Sequence, residues 1–70
     1  MYSIVLTDVR GESQTISDLS REQARLVFYT LVLAGVHCHV DVLSEIDGSR
    51  TVAMAVAGGH VKFQPRAWGG

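Results

Sequence analysis

A chain of 70 residues with 47% hydrophobic and 19% charged side chains makes one domain near the lower limit for a single hydrophobic core, and it excludes a disordered chain. Six Lys or Arg stand against seven Asp or Glu, a net charge of -1, so the positive field that draws proteins to nucleic acid or acidic membranes is missing. At this size, self-association is a natural source of added stability.

Tyr2 to Thr7 is rich in β-branched and aromatic residues and reads as a strand. Asp8-Val9-Arg10-Gly11 closes it, with Asp to start a turn and Gly for a positive φ. Glu12 to Ser17 then forms a weaker polar strand, suited to an edge with one face in water, and Ile16 is its one strongly apolar member. Ser20 starts a helix as N-cap, with Gln23 as its capping-box partner, Glu22 in the positive first turn and Leu19 and Ala24 placed as a staple. Gly35 ends it.

The helix is apolar nearly all the way round from Val27 to Val36. Ala24, Val27, Phe28, Leu31 and Val32 make a core-facing stripe, while Leu26, Tyr29 and Leu33 form a second patch roughly opposite. One helix on one sheet cannot bury both, so the second patch is a candidate contact with another chain. The apolar run is about ten residues, short of the roughly 20 that span a bilayer, so no membrane is expected.

From Val36 to Ile46 the pattern alternates as in a strand. Asp47-Gly48 is a favoured two-residue hairpin turn, and that register sets Ser44 against Thr51 and Cys38, Val40 and Val42 against Ala57, Ala55 and Ala53. The other face then groups His37, His39, Asp41 and Leu43 with Val52, Met54 and Val56, a second candidate contact surface. Gly58-Gly59 reads as a hairpin turn into a last strand, His60 to Gln64, which Pro65 halts. The order ββαβββ gives a small two-layer α+β domain over residues 1–65, one helix on an antiparallel or mixed sheet, with a short tail at 66–70.

His37, His39 and Asp41 could turn two imidazoles and a carboxylate to one face of a strand, with His60 as a further metal ligand. The string resembles the His-x-His-x-Asp motif of metallo-β-lactamase-type hydrolases over five residues; that fold is several times longer and holds its metal on a loop, so ordinary polar residues on a strand are expected here. Cys38, alternating with valines, reads as a buried small hydrophobe. A lone cysteine and no export-type segment point to a reducing cytoplasm.

No nucleophile turn or phosphate loop is present in the sequence, and neither an enzyme nor a cofactor is expected. Tyr2, Phe63 or Trp68 could stack bases beside Arg50, Lys62 and Arg66, but these residues do not interleave, and nucleic acid is not expected as a partner. The element order and the terminal Gly69-Gly70 are similar to ubiquitin-like proteins and small sulfur carriers, a resemblance that implies a carboxylate tail offered to an activating enzyme. Two tight hairpins after the helix depart from that family. Trp68 is either an anchor folded back on the domain or a hot spot for a partner. The expectation is a small interaction protein that self-associates as a dimer, or acts as an inhibitor or accessory factor on a larger protein, through the helix patch first and the sheet face second.

Overall fold

The computed structural model describes residues 1–35, 39–44, 50–56 and 58–64. The chain runs β1 (Tyr2–Thr7), β2 (Ser13–Leu19), α1 (Arg21–Ala34), β3 (His39–Ser44), β4 (Arg50–Val56) and β5 (His60–Phe63). One five-stranded sheet has the order β2-β1-β3-β4-β5, and every neighbouring pair is antiparallel. The helix packs on one side of this sheet, against β1, β2 and β3. This is the two-layer α+β arrangement expected from the element order.

Local hydrogen bonds build the first hairpin and the helix start. Asp8 Oδ1 accepts from the backbone N–H of Arg10 at 2.9 Å and of Glu12 at 3.0 Å, and Gly11 takes the left-handed φ of 84° that closes the turn. Ser20 Oγ accepts from the Gln23 N–H at 3.1 Å while Gln23 Oε1 accepts from the Ser20 N–H at 2.9 Å, completing the capping box. Gly35, at φ 65°, donates its N–H to the Leu31 carbonyl and ends the helix. Ser20→Ala is expected to cost about 1 kcal/mol in a denaturant titration, because it removes the hydroxyl that accepts from the first-turn N–H of Gln23 while leaving the bond from the residue-20 N–H to Gln23 Oε1 in place.

The core lies between helix and sheet. Ile4, Leu6, Val40, Val42, Ala53 and Ala55 from the strands meet Ala24 and Phe28 from the helix, with Val27, Leu31 and Val32 half-buried around them. Three of these core positions, Ala24, Ala53 and Ala55, are alanines, so the side-chain volume buried is small.

Three register details differ from the sequence expectations. β2 extends to Leu19 through an irregularity that sets Tyr2 against Leu19 and Ile4 against Ile16, with Asp18 at a positive φ of 60°. Val40 faces Ala55 and Val42 faces Ala53 as expected, but the register then shifts, so Ser44 faces Arg50 instead of Thr51. The extra residue on β4 is Val52, which packs against the core cluster and not on the opposite face with Met54. Val56 pairs with His60, so the last hairpin has a connection of three residues where Gly58-Gly59 alone would give two, and the strand ends at Phe63. Asp47-Gly48, residues 36–38 and the tail at 66–70 lie outside the described residues.

Candidate interaction surfaces

Two surfaces carry the candidate residues. The first is the solvent ridge of α1, where Leu26 is 69% and Leu33 87% exposed. Tyr29 shares a shallow surface depression with Glu22, Arg25 and Leu26, but it is half-buried, packs edge-on against Phe28 with ring centroids 5.3 Å apart, and donates its hydroxyl to Gln64 Oε1 just past β5. The wheel explains the difference, since position 29 lies between the outward ridge and the side of the helix that overlooks β5. The sequence pattern could place Tyr29 away from the core centre but could not show that β5 would rise to meet it.

The second surface is the sheet face turned away from the helix. Register partners share a face, so the pairings define rows across it. Thr15, Val5, Asp41 and Met54 form one row, and Ser13, Thr7, His39, Val56 and His60 the next. Ser3, Leu43 and Thr51 form a third. Among the described residues no helix or strand covers this face, yet Val5, Leu43, Met54 and Val56 place four apolar side chains on its central strands. Val5 and Leu43 extend the set that sequence alternation had found on β4, and only the neighbouring of β1 and β3 brings them there.

Two pairs of polar residues on that face are partnered, Thr7 with Ser13 and His39 with Asp41. His39 Nε2 lies 3.1 Å from Asp41 Oδ1, with the two side chains 39% and 26% exposed. A carboxylate in this position orients an imidazole, but among the described residues no third His, Cys, Asp or Glu joins them to form a metal-ligand group. His60 sits two strands from His39, at about 9–10 Å by strand spacing, with Val56 between them. His37, Cys38 and Trp68 lie outside the described residues, as does the Gly69-Gly70 end. Tyr2, considered for base stacking, is half-buried against the core. No described helix is long and apolar enough to cross a membrane.

The chain matches no protein-family model, no curated protein and no solved structure.

Proposed function

We propose that this chain is a small non-enzymatic interaction module that self-associates through the sheet face opposite the helix. The observation that carries the proposal is the row-by-row register, which gathers Val5, Leu43, Met54 and Val56 on a face without a described covering element. Size separates this face from the helix ridge. A 14-residue helix offers a strip roughly 21 Å long and about 10 Å wide. Five strands at about 4.8 Å spacing give a face roughly 20 Å across and as long, about twice that strip, and its relief adds further accessible area. The His39–Asp41 pair can be covered at modest cost because each group already has a partner.

Met54→Lys tests this reading. The new ammonium finds Asp41 directly across the strand pair, which keeps the isolated domain folded, but a face-to-face contact would have to desolvate it. The expected result is a lower mass in sedimentation or light scattering with unchanged circular dichroism. Leu26→Glu with Leu33→Glu is expected to leave the mass unchanged. The opposite pair of results moves the interface to the helix ridge, and a monomer at every concentration of the unmodified protein ends the self-association reading.

A further inference from the structure

The two edges of the sheet are built differently. β5 is four residues long and includes Lys62, which the register shift leaves opposite no residue of β4. A short strand, a lysine and a bulge are the features that keep an edge from pairing with another chain. β2 has seven residues and pairs regularly with β1 from Ser13 to Ile16. Ser13, Gln14, Thr15, Ile16 and Ser17 carry neither charge nor proline, and all five are exposed. The guard that β2 carries lies at its far end, where the irregularity beyond Ile16 puts Asp18 at a positive φ of 60° and leaves Ser13 to Ile16 regular.

The hairpin identifies the backbone groups that face outward. The Asp8 N–H donates to the Glu12 carbonyl at 3.0 Å, which makes Asp8 and Glu12 a hydrogen-bonded position of the ladder. Antiparallel alternation then makes Leu6 with Gln14 and Ile4 with Ile16 the next hydrogen-bonded positions. Val5 with Thr15 and Thr7 with Ser13 fall between them. The N–H and C=O of Ser13 and Thr15 therefore point away from β1, and no described strand lies beyond.

We propose that this edge pairs with β2 of a second copy, antiparallel about a twofold axis at Thr15, so that two sheets become one. In that register the outward N–H and C=O of Thr15 exchange two hydrogen bonds with Thr15 of the second copy, a favourable threonine pair, while Ser13 meets Ser17 and Gln14 meets Ile16. A second copy fits because a twofold contact sets its central residues against themselves, and a neutral centre does so without like charges meeting. Beyond these pairs the regular register ends, since Glu12 precedes β2 and Asp18 sits at its irregularity, but both carboxylates lie near each end of the contact and repel, so added salt favours the pairing. The axis stands perpendicular to the sheet, separate from the contact through its open face.

Thr15→Pro is the direct test, because proline is compatible with an edge strand where the N–H it removes faces away from the sheet. The expected result is half the solution mass of the unmodified protein, with circular dichroism unchanged. Amide exchange on the unmodified protein keeps the test decisive if that variant fails to fold: the Thr15 N–H, which points away from β1 with no described strand beyond it, is expected to exchange more slowly as concentration rises. A mass unaffected by Thr15→Pro, or a Thr15 exchange rate independent of concentration, overturns the edge contact. If Met54→Lys lowers the mass and Thr15→Pro does not, the face contact stands and the edge contact falls. The reverse keeps the edge contact alone, and a monomeric unmodified protein overturns both.

Discussion

Gly59→Ala is expected to destabilise the domain by about 2–5 kcal/mol, although Gly59 lies in a turn and outside the hydrophobic core. Its φ of 79° is left-handed, which costs an L side chain about 1–2 kcal/mol. A Cβ at this position would also stand 2.5 Å from the Val32 carbonyl oxygen, and since that oxygen is helix backbone, the whole end of α1 must move away from the last hairpin. Such displacement in a packed structure costs about 1–3 kcal/mol more. Gly58→Ala is the internal control. Its φ of 82° carries the same conformational penalty, but its Cβ would meet the His60 ring at 3.3 Å, the end of a side chain free to turn aside. In denaturant titrations the Gly59 variant should lose clearly more than the Gly58 variant; equal losses would mean that the helix does not rest on this turn.

Phe28→Ala is expected to cost about 3–5 kcal/mol, against a total of roughly 3.5–10 kcal/mol for a domain of this size. Phe28 is fully buried and is among the largest side chains that are, between the helix and strands whose own contribution includes Ala53 and Ala55. In so small a core there is little side-chain volume to collapse into the space its ring leaves. The variant should lose its cooperative thermal transition or melt well over 10 °C lower. Phe28→Leu, which keeps most of the volume, should retain the transition. A cooperative melt close to that of the unmodified protein in Phe28→Ala would show that the core is centred elsewhere.

How legible each feature was depends on how far along the chain its cause lies. Asp8 with Gly11, Ser20 with Gln23, and Gly35 were readable because each hydrogen bond closes within a few residues. Alternation carried the β3–β4 pairing as far as Val42 with Ala53, and failed at Val52, because packing against the core draws that residue out of the alternation. The helical wheel set Leu26 and Leu33 outward with Tyr29 beside Leu26, and could not show that Tyr29 is also tied down, because its hydroxyl's acceptor, Gln64, is 35 residues away. For the candidate surfaces, alternation found His39, Asp41, Met54 and Val56 together, while Val5 and Leu43 joined them only through the strand order.

By itself, then, the sequence determined the order of the elements, the first turn, both ends of the helix and the apolar face of β1 and β3, since these follow from steric limits and hydrogen bonds local to the chain, while it ended β2 two residues early and made the last connection one residue too short. Tertiary structure alone decided that β1 lies between β2 and β3, that the helix end touches backbone at Gly59, and that β2 and β5 become the edges. The physical reason is that many strand orders satisfy the same local rules. Choosing among them depends on burying Ile4, Phe28 and Val42 together, a condition set jointly by residues far apart along the chain.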